Sequence, residues 1–361
     1  MNQDSLKFSA LETAHVVPVL GCKNHIAVAR HLHSLGTTHA YRALGGMLSS
    51  CLLVNVDCNQ NTSSYAHNEV WMHSRSGMET VAGNRSSHIA KNNAWDAVDF
   101  FVLLTVYNSS AANTQKLEVR VVINSVDQAS PRTVKEFGKF VLSLWGLWNN
   151  RSLYFKGVED YLLDSLPGVV CSKRIRCFNY SVDNTDWQRA FNPGQFSESA
   201  LSHDLELQMC QIQSRDIDVI QKLNVIDYDP EYLELCCPVT ACIRRSSDAA
   251  PVSWVVCHAD YQIGALLTVD QYRSRGLAKY ILHSLGNKMI AQFAAKIALL
   301  YDDCAVNNAF KLQMVTELTN INTQRLFERF GFKPVDNVSW AECKFDIQKH
   351  QHEHNIAYSK L

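Results

Sequence analysis

A β-rich segment that leads through a turn into an amphipathic helix places the strongest local constraint on the fold of this chain. The segment Ile263–Val269 is followed by Asp270-Gln-Tyr and then by Arg273-Ser-Arg-Gly276-Leu-Ala278. Beyond the turn, apolar residues recur at every fourth position: Leu277, Ile281, Leu285 and Met289. This spacing predicts a helix that begins near Gly276 and buries one face.

The turn has the features of an anion site. The first N–H groups of a helix have no partner within the helix, and the helix dipole adds partial positive charge at that end. Gly276 lets the backbone come close to a ligand, and Arg273 and Arg275 add full positive charges. The pattern predicts a phosphate site. An ordinary strand–turn–helix connection with solvated arginines is the alternative.

The composition argues against several classes of function. The 361 residues carry a formal net charge of -1, which gives no basic excess for binding nucleic acid. No apolar run reaches the roughly 18 residues of a membrane span, so we expect neither nucleic-acid nor membrane partners. The 12 cysteines form no C-x-x-C pair, and we therefore expect buried thiols and no metal.

The amino-terminal segment shows no basic stretch followed by an apolar core, so a secretory signal is not expected. It also contains Asp4 and Glu12, which argue against a transit peptide. We expect a cytoplasmic monomer, and a mitochondrial location is the alternative.

Strand and helix patterns alternate in the amino-terminal half. Phe100–Tyr107 and Leu117–Ile123 predict strands, and Ser130-Pro131 opens a predicted helix that extends to about Trp148. The polar stretch from Asn59 to Asn93 predicts a long loop or insertion. Aliphatic residues are few between Asp183 and Ser199, which indicates a domain boundary there.

A second pattern follows the first helix in the carboxy-terminal half. Lys311–Asn320 predicts a strand, and Thr323–Phe330 predicts a helix that ends at Gly331-Phe332. Residues 294–310 form a long link between the two patterns and would be either a substrate lid or an inert insertion. The order of strand, R-x-x-G-x-A turn, helix, strand and helix resembles the GNAT (general-control-type N-acetyltransferase) superfamily.

This resemblance implies an α/β (α+β) fold in which helices flank a mixed central sheet. It also implies that the strand before the turn and the parallel strand after the helix splay apart around the pantetheine arm of acyl-CoA or acetyl-CoA. The residues that would bind the coenzyme are Leu267, Thr268, Val269, Arg273, Ser274, Arg275, Gly276, Leu277, Ala278, Lys279 and Asn320. The first three would offer main-chain groups to pantetheine, the next seven would hold the pyrophosphate, and the last would lie near the arm.

A closer resemblance is to the glycine N-acyltransferase family. It is carried by Pro251-Val-Ser-Trp254, by Leu267-Thr-Val-Asp-Gln-Tyr-Arg-Ser-Arg-Gly-Leu277 and by Val338-Ser-Trp340. The order of elements before Asp183 is also similar to the degenerate amino-terminal half of that family. The resemblance implies a degenerate acyltransferase-like domain over residues 1–195 and a catalytic acyl-CoA-binding domain over residues 196–361. The implied reaction transfers an acyl group from acyl-CoA to the amino group of glycine or a related small amine.

The general base is less plainly marked than the coenzyme loop. Gln262 stands at the position of the family's glutamate and cannot act as a base. The candidates are Glu317, which comes three residues before Asn320, and Asp260, which shares a strand face with Gln262 if the strand is regular. His258 has the same parity as Asp260. A surface ion pair for Glu317 and a turn role for Asp260 are the alternatives.

Two further functions stay open on the sequence alone. Many GNAT members carry a tyrosine seven residues after the asparagine, as a proton donor to the departing thiolate, but this chain has Phe327 there. Together with Gln262, Phe327 favours a catalytically silent acyl-CoA-binding protein as one alternative. A protein N-acetyltransferase, which would need an acidic groove for a basic peptide, is the other.

Overall fold

One order of elements occurs twice along the chain: an antiparallel strand pair, a helix, and a strand parallel to the second member of the pair. The structure is a computed structural model. It describes residues 16–18, 66–74, 98–109, 114–123, 131–148, 151–166, 168–191, 206–224, 226, 228, 230–258, 260–298 and 311–346. The chain divides into two compact units, residues 1–177 with 337–361 and residues 178–336.

The first unit holds the first copy of this order. Its elements are β1 (Val16–Pro18), β2 (Ala66–Ser74), β3 (Val98–Ser109), β4 (Thr114–Ile123), α1 (Pro131–Leu147), β5 (Leu153–Glu159), α2 (Asp160–Asp164) and the first part of β6 (Val169–Asp183). Neighbouring strands from β1 to β4 are antiparallel, and β5 is parallel to β4 through Leu117↔Leu153 to Val119↔Phe155. The predicted strands β3 and β4 and the predicted helix α1 are confirmed.

Helix α1 packs on this sheet through its predicted apolar face. The rings of Phe137 and Phe140 meet the buried ring of Phe100, with centroids 5.7 Å and 6.5 Å away. Val141 and Leu144 extend the same buried face. Because burial of a side chain of this size stabilises by about 1.5–3 kcal/mol, these contacts outweigh the weak helix propensity of the aromatic and β-branched residues.

Strand β2 shows that the predicted loop between Asn59 and Asn93 was wrong in part. Its nine residues pair with β3 from Ala66↔Tyr107 to Ser74↔Val98. The segment contains two histidines, Asn68 and Glu69, and its composition therefore did not indicate a strand. Backbone pairing with a strand more than twenty residues away decides its conformation, because strand propensity depends strongly on the neighbouring strand.

The second unit holds the second copy. Its elements are α3 (Asn184–Ala190), β7 (Leu207–Cys210), α4 (Ile217–Leu223), α5 (Pro230–Cys236), β8 (Thr240–Arg245), β9 (Pro251–Cys257), β10 (Gln262–Thr268), α6 (Leu277–Ala298), β11 (Lys311–Glu317), α7 (Ile321–Arg329) and the first part of β12 (Lys333–Phe345). Strands β7 to β10 form an antiparallel meander, and β11 is parallel to β10. Both units therefore combine a mixed sheet with helices, as the sequence predicted.

The last strand of each copy completes the sheet of the other unit. In the first unit β5 pairs with the second part of β12, from Val338↔Glu159 to Cys343↔Leu153. In the second unit β11 neighbours β6, which comes from the first copy. The compact units are residues 1–177 with 337–361 and residues 178–336, and the domains over 1–195 and 196–361 stay a prediction.

Helix α6 is the main helical support of the second unit. The residues that were predicted to form its core face are buried: Leu277, Ile281, Leu285 and Met289. Helix α3 docks on it with Trp187, whose Nε1 donates to Asn287 Oδ1 at 3.1 Å. A Cβ on Gly286 would lie 2.2 Å from Trp187 Cζ2, so only glycine allows this approach. Residues 294–298 of the predicted insertion continue α6, and residues 299–310 lie outside the described residues.

Candidate active site

Strands β10 and β11 are paired only near their amino-terminal ends. The parallel register joins Gln262 to Gln313 and Ile263 to Met314. The register of β10 with β9 then shifts between Gly264 and Leu267, and Ala265 takes a φ of 51°. This is a β-bulge, which bends its strand. Strand β10 therefore leaves β11 while it stays bonded to β9, and a gap opens between two parallel strands.

One backbone group of β10 faces this gap. Val269 N–H donates to Val252 O of β9 at 2.9 Å. Since alternate residues of a strand direct their polar groups to the same side, Leu267 and Val269 face β9 and Thr268 faces the gap. The Thr268 side chain is held away from the gap by Ser253, with 2.8 Å between the two hydroxyl oxygens. Of the three residues predicted to offer main-chain contacts, the geometry thus directs only Thr268 into the gap.

The loop after β10 adopts the conformation that an anion site needs. Ser274 and Gly276 have left-handed φ angles of 62° and 77°. Helix α6 begins at the next residue, Leu277, so its first N–H groups point out of the helix beside the loop. A Cβ on Gly276 would meet nothing within 4 Å. The left-handed backbone, and not a lack of space, is therefore what favours glycine here.

The side chains of both loop arginines are exposed, and each is held by contacts with neighbouring residues. Arg273 Nε donates to Thr268 O at 3.1 Å, and its Nη2 lies 2.7 Å from Asp270 Oδ1. Arg275 lies over the ring of Tyr272, with 5.3 Å from its guanidinium carbon to the ring centroid. These contacts hold two positive charges next to the start of α6 at little cost in side-chain order, which is the arrangement expected of a pyrophosphate loop.

Asn320, which follows β11 and precedes α7, has a structural role. Its side-chain oxygen accepts a hydrogen bond from Thr323 N at 3.2 Å and so caps helix α7. The buried side chain of Gln324 donates to Glu317 O at 3.1 Å and to Leu318 O at 2.8 Å, which fixes the turn between β11 and α7. Sequence reasoning missed Gln324, because an amide in the second turn of a helix gives no signal of a backbone contact.

Phe327 and the helix end at Gly331 belong to the core of this unit. Phe327 lies 5.5 Å from Tyr180 and 5.9 Å from Phe332 between ring centroids. Gly331 ends the helix with a φ of 81°, and Phe332 is buried, as predicted. Phe327 therefore supports packing and has no proton to offer a leaving group.

The predicted base candidates occupy different kinds of position. Asp260 lies in the turn between β9 and β10 and is 1% exposed, so the assumption that it continues the strand face of Gln262 was wrong. The turn forms because Tyr261 N–H donates to His258 O at 2.9 Å. Glu317 is the half-buried last residue of β11. It shares a sheet face with Gln313 and, by register, with Gln262.

His258 lies next to Gln262, and its parity with Asp260 was the only sign of this in the sequence. Its N–H donates to Gln262 O at 2.8 Å, so the two residues are a cross-strand pair on one sheet face. Its imidazole Nδ1 lies 2.8 Å from the Tyr232 hydroxyl oxygen of α5. The imidazole ring also packs against the rings of Tyr228 and Tyr232, with centroids at 5.6 Å and 5.8 Å. Sequence could not show this cluster, because 26 residues separate Tyr232 from His258.

Neither a metal cluster nor a membrane-spanning helix is found among the described residues. Over the described ranges, no three His, Cys, Asp or Glu side chains lie close enough together to hold a metal ion. Among the helices that the structure describes, none is long and apolar enough to cross a membrane.

Comparison with solved structures identifies the fold. No family model matches the sequence, and no curated protein matches it. A Drosophila protein solved by X-ray crystallography covers 91% of this chain and 98% of its own length, with a TM-score of 0.57 and 13% identity. A tandem GNAT protein from the clavulanic acid biosynthesis pathway also covers 91% of this chain and 98% of its own length, with a TM-score of 0.50 and 9% identity. This chain has the GNAT acetyltransferase fold.

The GNAT likeness extends over both units, since 91% of the chain exceeds either unit alone. The two copies differ in the loop that connects the second strand of the pair to the helix. Between β4 and α1 the sequence is Asn124-Ser-Val-Asp-Gln-Ala-Ser130, which contains neither arginine nor glycine. Between β10 and α6 it contains Arg273, Arg275 and Gly276. The second GNAT copy therefore carries the candidate site.

Proposed function

We propose that this protein is an acyl-CoA-dependent N-acyltransferase whose acceptor is glycine or a related small amine. One observation carries the proposal: the gap between β10 and β11 opens directly into a left-handed, arginine-containing loop at the start of α6. A CoA thioester has an extended amide-bearing arm and a pyrophosphate. The gap and the loop offer a backbone donor for the first and a set of N–H groups with two arginines for the second.

The same geometry supplies part of the chemistry. The amine nitrogen attacks the thioester carbon, the new C–N bond forms, and the C–S bond breaks to release CoA as a thiol. Negative charge develops on the carbonyl oxygen, and backbone N–H groups near a strand bulge are suited to stabilise it. The small-amine acceptor is supported by the resemblance of the segments at Pro251–Trp254, Leu267–Leu277 and Val338–Trp340 to glycine N-acyltransferases.

The test has a binding part and a catalytic part. The purified full chain is titrated with CoA by calorimetry, and then incubated with acetyl-CoA or benzoyl-CoA and a panel of amino acids while thiol release is followed. We expect saturable CoA binding and thiol release that depends on the acceptor. An absence of CoA binding would overturn the proposal. Binding without acceptor-dependent release would leave a silent acyl-CoA-binding protein, which the amide at Gln262 and the buried ring of Phe327 favour.

A pair of glycines gives a matched control for the loop. Gly276 and Gly331 both have left-handed φ angles, of 77° and 81°, and both have room for a Cβ. Alanine at either position costs about 1–2 kcal/mol of backbone strain. We expect Gly276→Ala to weaken CoA binding at least tenfold and Gly331→Ala to leave it unchanged at equal stability loss. Equal affinities in the two variants would refute the assignment of the pyrophosphate loop.

A further inference from the structure

The proposed reaction needs a base, and the position of Gln262 does not supply one. A candidate base must lie on the acceptor side of the sheet and reach the point where the thioester carbonyl would sit. On the proposed function we place that point at the bulge that begins at Gly264, where the register of β10 with β9 shifts and its pairing with β11 ends.

The His258 imidazole meets it directly. A Cβ built on Gly264 would lie 2.2 Å from His258 Nε2 and 2.7 Å from its Cδ2. The Nε2 edge of the ring therefore rests on the backbone of the first bulge residue, and glycine is required there for that reason. The residue is buried, with 3% of its surface exposed.

The other edge of the ring is fixed by Tyr232. The Tyr232 hydroxyl oxygen lies 2.8 Å from Nδ1 of His258. In the tautomer in which Nδ1 carries the proton and donates to that hydroxyl, Nε2 is the basic nitrogen and faces the bulge. The rings of Tyr228 and Tyr232 pack against the imidazole and against each other, and Asp260 lies two residues along the chain in the same turn. Orientation of a base by a third group through its second nitrogen is the arrangement that general-base histidines use.

We propose that His258 is the general base of the acyl transfer and that it takes over, from the neighbouring strand, the role that a carboxylate at Gln262 would have. This proposal rests on the proposed function. Nε2 accepts a proton from the amine nitrogen as that nitrogen bonds to the thioester carbon. The C–S bond then breaks, the thiolate takes a proton from water, and the imidazolium returns its proton to water. Thioester and amine are thus converted to amide and thiol.

The test compares His258→Gln with His283→Gln, a histidine of α6 in the same unit whose Nε2 contacts Asn287. We expect His258→Gln to lower acceptor-dependent thiol release by about 10²–10⁴-fold, to remove the acidic limb of the kcat/KM pH profile, and to leave CoA affinity within about twofold. The His283→Gln control should leave all three quantities unchanged. Adding Gln262→Glu to His258→Gln should restore release at least tenfold, because it returns a carboxylate to the same sheet face.

Each outcome separates the two proposals. Wild-type protein that binds CoA without releasing thiol overturns both the activity and the base. Active wild type with an equally active His258→Gln variant overturns the base alone, as does an unchanged pH profile. If His258→Gln loses CoA binding, Tyr232→Phe decides: it keeps the imidazole, and it should lower kcat with little change in KM. Unchanged kcat in Tyr232→Phe would then refute the proposal.

An independent observation concerns two thiols on β7 and β8. Cys210 and Cys242 are register partners across these antiparallel strands. Ser246 N–H donates to Glu206 O at 2.8 Å, so these two residues form a hydrogen-bonded pair. Every second pair of an antiparallel ladder is of this type, and Cys210 with Cys242 is therefore also a hydrogen-bonded pair. Such pairs have Cα atoms about 5.5 Å apart, which falls within the range of a disulfide.

The two thiols lie in different electrostatic environments. Arg244 Nε donates to Cys210 Sγ at 2.9 Å, while its Nη1 donates to the buried carboxylate of Asp216 at 2.6 Å. A hydrogen bond from Cys242 and the positive charge of Arg244 lower the pKa of Cys210 to about 7. The hydrogen bond to Cys210 and burial raise the pKa of Cys242. About half of Cys210 is therefore thiolate at neutral pH, whereas Cys242 stays a thiol.

We infer that Cys210 is an oxidation site for hydroperoxides, with Cys242 as its resolving partner. The Cys210 thiolate takes the terminal oxygen of the hydroperoxide and becomes a sulfenic acid, while the peroxide is reduced to an alcohol or water. The Cys242 thiol then attacks that sulfur, a disulfide forms, and water leaves.

Peptide mapping after treatment with hydrogen peroxide tests this inference. We expect a Cys210–Cys242 disulfide in the wild type and a sulfenic acid at Cys210 in Cys242→Ser. Cys237, a half-buried thiol of the same unit with a raised pKa, is the internal control. At pH 7 Cys210 should alkylate at least tenfold faster than Cys237, because about half of it is thiolate. Equal alkylation rates, or no Cys210–Cys242 disulfide, would overturn the inference.

Discussion

Gly264→Ala should destabilise the second unit, and the loss should depend on His258. The backbone of Gly264 lies outside the left-handed region, so alanine is allowed by conformation and the effect is steric. Its Cβ would lie 2.2 Å from His258 Nε2. The ring must move, which costs about 1–3 kcal/mol as overpacking, and it then loses its contact with Tyr232, worth about 0.5–1.5 kcal/mol. We expect a loss of about 1.5–4.5 kcal/mol in the free energy of unfolding.

A double-mutant cycle isolates this contact. Urea unfolding is followed by tryptophan fluorescence in wild type, Gly264→Ala, His258→Ala and the double variant. Once the ring is removed, the added methyl group has room, so Gly264→Ala should cost less than about 0.5 kcal/mol in the His258→Ala background. If Gly264→Ala lowers the free energy of unfolding equally in both backgrounds, the imidazole does not rest on Gly264. The proposed placement of His258 as the base is then wrong.

Three further predictions concern the two units separately. Gly286→Ala should destabilise by about 1–3 kcal/mol, because its Cβ would meet a tryptophan ring at 2.2 Å; calorimetric melting checks it. Gly146→Ala, on α1 with nothing within 4 Å of the new Cβ, should stabilise by about 0.5–1 kcal/mol in the same assay. Burial acts to raise the pKa of Asp160, but hydrogen bonds from Ser339 and Arg174 hold it below 3.8. Asp160→Asn should therefore lower the urea midpoint at pH 7, and the difference should shrink as the pH falls below 3.8, where wild type also becomes protonated.

Much of the local structure of the site could be predicted from the sequence. The apolar spacing from Leu277 to Met289 fixed the buried face of α6, and Gly276 marked where the chain turns into that helix. These features depend on side-chain periodicity and on the backbone freedom of single residues, and both are written into a short segment.

Other predictions depended on neighbours that the sequence does not identify. The strand β2 exists because β3 pairs with it, and its own residues gave no such sign. Asp260 lies in a turn because Tyr261 N–H donates to His258 O, so β10 begins at Gln262, two residues later than parity assumed. The side chain of Asn320 caps α7, a role that the resemblance to known families did not include.

The sequence by itself determined that a strand, an arginine-containing loop and an amphipathic helix follow one another at Ile263–Met289, because each depends on residues at most a few positions apart. Only the tertiary structure decided which strands complete each sheet. Strand β12 pairs with β5 across more than 170 residues, and β10 parts from β11 across about 50. Hydrogen bonds of a sheet do not depend on the identity of the side chains, so the choice of partner follows from the packing of both units and not from either segment alone.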